Sequence, residues 1–551
     1  MPSYRINPYI SFIENRLFPG EIQRAVFHRL TGEIIECDFT RSLNADEAQL
    51  RQLIERGFLI TPDYDPLAPL LDWYVARPIQ NPALAYRSTT GEWILVRNSM
   101  EKRIYSPKRD ELPAIIEENL SSLAADIFLM ADGTRTLRQI FSALRDGSNI
   151  LEDLEFRSAI DFLTSQERQL IKFTARREEL DHPFSFVNVV PRNFYHSERM
   201  DQPRAGSANE TIIDFHLHDI DDADWEFDLI EPTLNHCFRF PHEALGGLDY
   251  GSRFCVAALR PEVVPLLTDS RGLEVLEVGG GRGSFARSFI QQAASFNINY
   301  HILDLSPALM ANQRKILSEL LPESRHFHQD ATEFDLPGHT FDLIISNEVI
   351  ADFPVAPVQR DGDNGWQGDG AYYIEKYDLS DKDAPDSFLV NAGCFRFIER
   401  AWKHLNPGGT LIVTEYGAEH LYPIQSYHLN HEEFSIHFGH LATCAAKVGF
   451  QCRLLTLKEF MGFDDEVHVL NGREEHLVCL NHVLKSHGQV LPYAVISKSD
   501  FEKRCQGIVE QTGLIGYSFS PLKTQFHFGP NIADFLILIM NKPNPQITQI
   551  D

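Results

Sequence analysis

Three glycines at alternate positions, preceded by a carboxylate, stand near the middle of this 551-residue chain. Glu277, Gly279, Gly281 and Gly283 form the pattern E-x-G-x-G-x-G. Residues 273–278 before the glycines are mostly valine and leucine, which predicts a buried parallel strand, and apolar residues at helical spacing follow. A glycine turn between a strand and a helix brings backbone N–H groups and a helix N-terminus close to a ligand. The segment is therefore predicted to bind a cofactor.

The spacing of the glycines distinguishes between cofactors. A dinucleotide-binding turn has the spacing G-x-G-x-x-G, with two residues before its last glycine. Alternate glycines after a carboxylate are the form usual in methyltransferases that use S-adenosylmethionine (SAM). A tight turn that binds no ligand is the alternative, and the residues that follow favour SAM.

Polar residues also stand at the ends of the later predicted strands. Asp304 ends the next strand, where a carboxylate can accept both hydroxyl groups of a ribose. Asp330 ends the strand after that and suits the adenine amino group, which needs an acceptor. Ligands of open α/β sheets bind beyond the carboxyl ends of the strands. The residues predicted to bind SAM are Glu277, Gly279, Gly281, Gly283, Asp304, Leu305, Asp330, Ala331 and Asn347.

Three further residues are candidates for the chemical step. Glu348 and Asp352 follow the fourth predicted strand, and carboxylates there could hold a guanidinium and accept the proton that it releases. A role for Glu348 beside the cofactor is the alternative. His437 is a candidate general base or orienting residue, and a purely structural histidine is equally open. The spacing of the histidines between His428 and His440 matches no metal motif, so no metal is predicted.

The segment from Leu273 to about Phe463 resembles the MidA-like methyltransferases, the family of the mitochondrial complex I assembly arginine methyltransferase. The matching pieces are LEVGGGRGSFA, LSPALMANQRKIL, NEVIADFPV and a late block that begins at Glu433. The resemblance implies a class I SAM methyltransferase with a Rossmann-like seven-stranded sheet, acting on a protein nitrogen. Asp352 stands one place after the aspartate of the family pattern, and Glu415 begins E-Y-G where the family has D-Y-G.

Two small winged-helix-like α+β modules are predicted before this domain. Their predicted elements include a hairpin that pairs Trp93–Val96 with Lys102–Tyr105, a helix over 115–130, and a helix capped near Thr134 or Thr136. The string Asp132–Ile140, DGTRTLRQI, resembles the signature of PqqD-like peptide-recognition domains. That resemblance implies binding of a precursor leader as an added strand. A spacer or a homodimer contact is the alternative, and residues 1–175 are expected to be removable without loss of SAM binding.

The predicted domain organisation has four parts. These are a winged-helix-like module (1–70), a PqqD-like module (71–175), an acidic connecting or cap segment (176–240) and the methyltransferase domain (241–551). The acidic run between Glu210 and Glu231 contains His216 and His218, and a solvated segment is favoured over a metal site there. Within the last part, residues 361–373 predict a mobile lid or hairpin and residues 534–540 predict the last strand of the sheet.

Composition limits the partners. The formal net charge is -28, which argues against nucleic acid as a partner because phosphate binding needs clustered Lys and Arg. The eight cysteines form no C-x-x-C pair, which predicts reduced thiols and a cytoplasmic location. No apolar run approaches the length of a membrane helix, so no membrane partner is expected.

These observations together predict an enzyme that methylates a peptide or protein side chain with SAM. Arginine nitrogen is the first candidate acceptor, in a substrate such as the precursor peptide of a ribosomal natural product. A small-molecule N- or O-methyltransferase is one alternative. A SAM-binding assembly or scaffold protein without turnover is the other.

Overall fold

The structure is a computed structural model whose described residues leave several gaps. They are 4–18, 21–31, 34–36, 47–68, 70–78, 83–98, 115–147, 149–165, 168, 170–175, 233–265, 272–322, 325–362, 365–381, 384–428, 431–471, 474–492, 494–524 and 535–544. The acidic run between Glu210 and Glu231 and the predicted strand Lys102–Tyr105 lie outside them. No helix in these ranges is both long and apolar enough to cross a membrane.

The N-terminal elements are short strands and helices, several of them two to six residues long. In chain order they are β1 (Arg5–Ile6), β2 (Ile10–Phe18), β3 (Glu21–His28), β4 (Ile34–Glu36), α1 (Glu47–Glu55), β5 (Leu59–Ile60), α2 (Leu70–Trp73), β6 (Tyr74–Pro78), β7 (Ala83–Arg87), β8 (Trp93–Asn98), β9 (Ile115–Leu120), α3 (Ser122–Met130), α4 (Leu137–Leu144), α5 (Leu154–Leu163) and β10 (Ile171–Ala175).

The central part of the chain alternates strands and helices. Its elements are α6 (Leu234–Cys237), α7 (Tyr250–Ala258), β11 (Leu273–Val278), α8 (Ser284–Gln292), β12 (Ile298–Asp304), α9 (Pro307–Ile316), β13 (His326–His328), β14 (Phe341–Asn347), β15 (Ala356–Arg360), β16 (Trp366–Gln367), α10 (Ala371–Tyr377), β17 (Ser387–Val390), α11 (Ala392–His404), β18 (Leu405–Ala418), β19 (Gln425–His428), β20 (His431–Phe434), β21 (Ile436–His437), α12 (Phe438–Val448), β22 (Gln451–Thr456) and α13 (Leu457–Met461).

The described residues of the C-terminal part add two helices and three strands. They are β23 (His468–Leu470), α14 (Glu474–Lys485), α15 (Lys498–Thr512), β24 (Phe519–Pro521) and β25 (Phe535–Asn541). The chain divides into two compact units, and most of this part belongs to the first. The first unit comprises residues 1–208, 468–493 and 498–520, and the second comprises 209–467, 494–497 and 521–551.

One large sheet organises the second unit. Its strand order is β13-β12-β11-β14-β18-β25-β22, with β21 paired to β18. The strands from β13 to β18 run parallel, and β25 lies antiparallel between β18 and β22. Counted along the chain this is the order 3-2-1-4-5-7-6, the mixed seven-stranded arrangement of class I methyltransferases. The predicted fold class and the predicted last strand are confirmed.

Both faces of this sheet are covered, because its central strands are apolar on both sides. On one face, Leu276 of β11 and Ile344 of β14 belong to a core that includes Phe395 of α11 and Leu441 of α12. On the other face, the ring of Tyr300 in β12 packs against Phe289 of α8, with ring centroids 5.5 Å apart.

In the first unit a three-stranded sheet, β7-β8-β9, packs against helices α3 to α5. Helix α14 packs against β7 and β8, in which Leu84 and Val96 are fully buried. The edge of β7 is extended by Ile515, which exchanges two backbone hydrogen bonds of 3.0 and 2.8 Å with Ala85. Residues far apart in sequence therefore complete one small domain.

The prediction of a helix over residues 115–130 is wrong for its first six residues, which form β9. Strand pairing with β8 decides this, and Glu118 of β9 is held by Arg97 of β8 and by Arg168, at 2.6 Å each. The helix starts only after Ser121, whose side chain caps the N–H of Ala124 at 3.2 Å. The predicted cap Thr136 is confirmed, with a capping box to Gln139.

The insert predicted as a lid or hairpin forms part of a small sheet of order β16-β15-β17. Trp366 is fixed in it, because its Nε1 donates to Asp381 at 2.9 Å and the Arg360 guanidinium lies 4.2 Å from its ring centroid. Of the two predicted forms, a mobile lid or a hairpin, the segment has the hairpin, because β15 pairs with β16.

Removal of residues 1–175 is expected to destabilise the remaining chain, contrary to the expectation from sequence. Helix α14 and Ile515 would lose β7 and β8, and their apolar side chains would face water at a cost of about 25 cal/mol for each Å² exposed. Size-exclusion chromatography and thermal unfolding of residues 176–551 beside the full chain measure this. A monodisperse fragment that unfolds at the temperature of the full chain would contradict it.

Candidate active site

A cavity of about 180 Å³ opens at the carboxyl ends of β11, β12 and β14. Of the nine residues predicted to bind SAM, only Gly283 is absent from its lining, and two of the three predicted catalytic residues line it. Those found in the lining are Glu277, Gly279, Gly281, Asp304, Leu305, Asp330, Ala331, Asn347, Glu348 and Asp352. The strand order explains this grouping, because parallel neighbours end at the same edge of a sheet.

The glycines of the turn meet different constraints. Gly279 has φ +71°, and a Cβ there would lie 2.4 Å from Cγ2 of Val349, so this glycine is required by packing. Gly281 has φ +48°, and a Cβ there would meet nothing within 4 Å. Since Gly281 lines the cavity, a side chain at this position would take up space that a ligand could occupy. Gly283 packs against helix α9, where its Cβ would lie 3.2 Å from Cα of Gln313.

Asp304 is held in a fixed orientation. Its carboxylate accepts from the backbone N–H of Ser306 at 2.9 Å and from Nε2 of Gln313 at 2.6 Å. The same Gln313 amide donates to the carbonyl of Gly281 at 2.8 Å. Gln313 thus joins the glycine turn to the carboxylate expected to bind ribose. Sequence reasoning missed this role, although a glutamine among the apolar residues of α9 is a signal for it.

Asp330 and Ala331 lie in the turn after β13. One oxygen of Asp330 accepts from the N–H of Thr332 at 2.7 Å and from its hydroxyl at 2.9 Å. These bonds orient the aspartate at the cavity wall. The carbonyl of Leu305, on the opposite turn, is hydrogen bonded to His328 Nε2 at 2.9 Å.

Glu277 is buried beneath the glycine turn. The hydroxyl of Tyr300 donates to it at 3.1 Å. Burial raises the pKa of Glu277 to about 8, and the nearby charge of Asp304 acts in the same direction. A cation bound in the cavity would lower this pKa, so the site favours a positively charged ligand.

Glu348 has an unusual backbone conformation, with φ +54°. Its N–H donates to the carbonyl of Thr414 at 3.1 Å. One carboxylate oxygen accepts from the N–H of Leu234 at 2.8 Å, and the other accepts from the Asn347 amide at 3.2 Å. Burial raises the pKa of Glu348 to about 7. A strained backbone held by several hydrogen bonds is frequent at functional sites.

Two further carboxylates belong to the surroundings of Glu348, and sequence reasoning did not select them as site residues. Glu415, three residues before the last residue of β18, is buried and accepts from the N–H groups of Tyr416 and Ala351 at 2.9 and 3.3 Å. Burial raises its pKa well above the usual range, and the charges of Glu348, Glu433 and Asp352 raise it further. The position of Glu415 shortly after the apolar run Leu411–Val413 was the available signal.

His437 does not line the cavity. It caps helix α12, because its Nδ1 accepts from the N–H of His440 at 3.1 Å, and the two rings stack with centroids 3.6 Å apart. Burial and the neighbouring histidines lower the pKa of His437 to about 3. The geometry therefore gives this histidine a structural task. Within the described ranges no three His, Cys, Asp or Glu side chains are arranged to hold a metal.

Sequence reasoning also missed α6 and Thr233 directly before it, which form one wall of the cavity. Thr233, Asn235 and His236 line it. The side-chain amide of Asn235 donates to the hydroxyl of Ser284 at 2.9 Å, so this wall is attached to the start of α8. A four-residue helix next to an acidic run gives no periodic signal in the sequence.

These residues fit SAM. The open space at Gly281 suits the amino-acid part of the cofactor, Asp304 the ribose and Asp330 the adenine. Glu277 and Glu348 favour its positive charge, because burial holds both carboxyl groups at a raised pKa until a cation is near.

Replacement of Gly281 by alanine is expected to weaken binding of S-adenosylhomocysteine (SAH) by roughly 100-fold or more, since each 1.4 kcal/mol of lost contact is tenfold. Gly362→Ala is the matched control, because Gly362 has φ +51° and equally open surroundings but does not line the cavity. Both variants should lose about 1 kcal/mol of stability from backbone strain. Calorimetric titration and thermal unfolding give the two quantities, and equal SAH affinity in the two variants would overturn the site assignment.

Residues 258–419 match a family model described as "Putative S-adenosyl-L-methionine-dependent methyltransferase". A search of curated proteins found no match.

Two solved structures illustrate the similarity. A Burkholderia thailandensis protein bound to SAH is 16% identical over 58% of this chain and 87% of its own, with a TM-score of 0.30. A phosphoethanolamine N-methyltransferase from Haemonchus contortus is 15% identical over 51% of this chain, with a TM-score of 0.27. The chain spans about half the length of the Haemonchus protein, 52%.

The family match covers the part of the second unit that contains β11 to β18 and the whole glycine turn. The predicted enzyme class and cofactor are thereby confirmed: the chain contains a SAM-dependent methyltransferase, and its cofactor is SAM.

Proposed function

We propose that the enzyme transfers a methyl group from SAM to a nitrogen on a peptide or protein side chain, with arginine as the first candidate. The observation that carries the proposal is the pair of carboxylates, Glu348 and Asp352, that lines the cofactor cavity. Glu415 and Glu433 are close enough to interact electrostatically with Glu348. Such a concentration of acidic groups suits a cationic acceptor better than a neutral one.

The chain's own residues would act by holding the acceptor and taking up a proton. SAM supplies an activated methyl group, and SAH is the product that remains. Glu348 and Asp352 would bind the two N–H edges of a guanidinium and localise its lone pair. As the new C–N bond forms, one N–H proton passes to a carboxylate. Because burial raises the pKa of Glu348 to about 7, this group can accept a proton near neutral pH.

The resemblance to MidA-like methyltransferases supports a protein nitrogen as acceptor. Glu415 stands where that family has the aspartate of D-Y-G, and in this chain it keeps a carboxylate within the last four residues of β18. Asp352 stands one residue later than the family aspartate and still lines the cavity. Both departures from the pattern preserve an acid near Glu348.

Two alternatives make different predictions. A small-molecule N- or O-methyltransferase would accept a free amine or hydroxyl compound as well as a peptide. A scaffold would bind SAM and release no SAH with any acceptor.

The net charge of -28 and the seven free thiols among the described cysteines support a cytoplasmic enzyme without a nucleic-acid or membrane partner.

Release of SAH from SAM by the full chain, with matched peptides that contain arginine, lysine or citrulline, tests the proposal. Turnover is expected with arginine and not with citrulline, which has the same shape without the charge.

Glu348→Gln should lower turnover by roughly 10²- to 10⁴-fold, because it removes a base and a charge, with SAH affinity nearly unchanged. Parallel losses of turnover and SAH affinity would assign Glu348 to the cofactor instead.

We further propose that the first unit recognises the peptide substrate. The PqqD-like string forms a local structure, in which Asp132 accepts from the N–H of Thr134 at 2.9 Å and pairs with Arg135. In the part of the chain that is described, β9 pairs with β8 alone, whereas Ile515 occupies part of the edge of β7. The edge of β9 is therefore the candidate for an added peptide strand. A homodimer contact at this edge is the alternative.

Selection of binders from a random peptide library, followed by amide hydrogen exchange on the full chain, tests this assignment. Added-strand binding should protect backbone amides of Ile115–Leu120, because an edge strand gains hydrogen bonds to the peptide. Protection confined to residues 233–354 would mean that the second unit alone recognises the acceptor. Light scattering of the free protein distinguishes the dimer.

A further inference from the structure

The side-chain amide of Asn347 has three partners. The hydroxyl of Tyr250 lies 2.7 Å from its Oδ1, and the hydroxyl of Thr414 lies 2.9 Å from the same atom. Its Nδ2 lies 3.2 Å from the carboxylate of Glu348. The three partners come from α7, β18 and the residue after β14, so the contact joins separate elements at the cavity wall.

The two hydroxyl groups determine how this amide is oriented. Both can donate to Oδ1, which can accept two hydrogen bonds. The phenol of Tyr250 remains a donor, because burial and the charges of Glu348 and Glu415 raise its pKa well above the usual range. In the reversed orientation Oδ1 would face the carboxylate of Glu348, and an ionised carboxylate would repel it.

Thr414 of β18 also holds the backbone of Glu348. Thr414 accepts the N–H of Glu348 through its carbonyl, at 3.1 Å, while its side chain holds Asn347. A donor to a carboxylate favours the ionised form, and the Asn347 amide acts in this direction on Glu348. The ionisation of Glu348 thus depends on residues whose side chains hydrogen bond to Asn347.

We infer that Tyr250 and Thr414 are positioning residues, which orient the Asn347 amide toward Glu348 and thereby keep this carboxylate ionised for the cationic methyl donor. The assignment goes beyond the proposed acceptor, because it concerns the handling of SAM itself. Neither residue stands in the motifs of the sequence, since Tyr250 precedes the glycine turn and Thr414 lies inside a strand.

Other charged groups face Glu348 or the same cavity and must be separated from its effect. They are Glu277, Arg282, Asp304, Asp330, Asp352 and His236 in the cavity lining, with Glu415 and Glu433 beyond it. A measurement has to isolate the sulfonium charge and the contribution of Glu348.

The ratio of SAM affinity to SAH affinity isolates that charge, because SAH lacks the sulfonium and shares every other group. Calorimetric titrations with the full chain between pH 5.5 and 9 should show the ratio rising with pH, since an ionised Glu348 favours the sulfonium. Tyr250→Phe and Thr414→Val should move the midpoint of this rise to higher pH. The ratio at neutral pH should fall roughly two- to tenfold, the effect of one lost hydrogen bond.

Two variants make the result decisive. Thr414→Ser keeps the hydroxyl and should retain the midpoint of the unmodified protein, whereas a loss through altered packing would not be rescued. Glu348→Gln should remove the part of the rise that Tyr250→Phe and Thr414→Val shift, and leave the part that Glu277 contributes through its pKa of about 8. An unchanged midpoint in Tyr250→Phe and Thr414→Val, or a rise in Glu348→Gln identical to that of the unmodified protein, would overturn the inference. No acceptor is used, so failure to methylate a peptide cannot be confused with these outcomes.

Discussion

Burial of carboxylates at one edge of the large sheet is the constraint on which the site depends. Glu277, Asp304 and Glu415 are each 3 to 5% exposed, and removing such charges from water costs several kcal/mol unless they are compensated. Their partners are N–H groups, hydroxyls and amides, which compensate only in part, so the pKa values of Glu277 and Glu415 are raised. A cationic ligand would complete the compensation, and the site is therefore expected to favour the positive charge of SAM.

The sheet order is what brings these acids together. Strand β11 lies between β12 and β14, and β13 lies beyond β12, so the ends of four parallel strands meet around one cavity. Strand β25 runs the opposite way and pairs with β18 over seven residues, from Tyr416 to Thr410. It closes the hydrogen-bonding edge of β18 without placing another strand end at the cavity. The helices on both faces exclude water from the strands. The resulting low polarity raises the pKa values of the buried carboxyl groups Glu277 and Glu415.

The sequence predicted those features that depend only on residues close together in the chain. The strand, glycine turn and helix from Leu273 to Gln292 follow from periodicity and glycine spacing, and the acids at strand ends follow directly. The contacts of Gln313 with Asp304, and of Glu415 with the surroundings of Glu348, depend on which strands become neighbours, and no local pattern encodes that. Residues 115–120 have a helix-like pattern until β8 supplies a partner strand. His437 was selected by residue type, while its position at the start of α12 makes it a cap.

The return of α14 and Ile515 to the first unit has a consequence for synthesis on the ribosome. Strands β7 and β8 emerge early, but the helix that packs on them is translated only after most of the second unit. At about 5–20 residues per second, this delay is roughly 20 to 80 s. During that interval Leu84 and Val96 lack the helix that later packs against their strands, and the edge of β7 lacks Ile515. The nascent chain thus presents a strand edge and an apolar face at the same time, which are the features that chaperones bind and that promote aggregation.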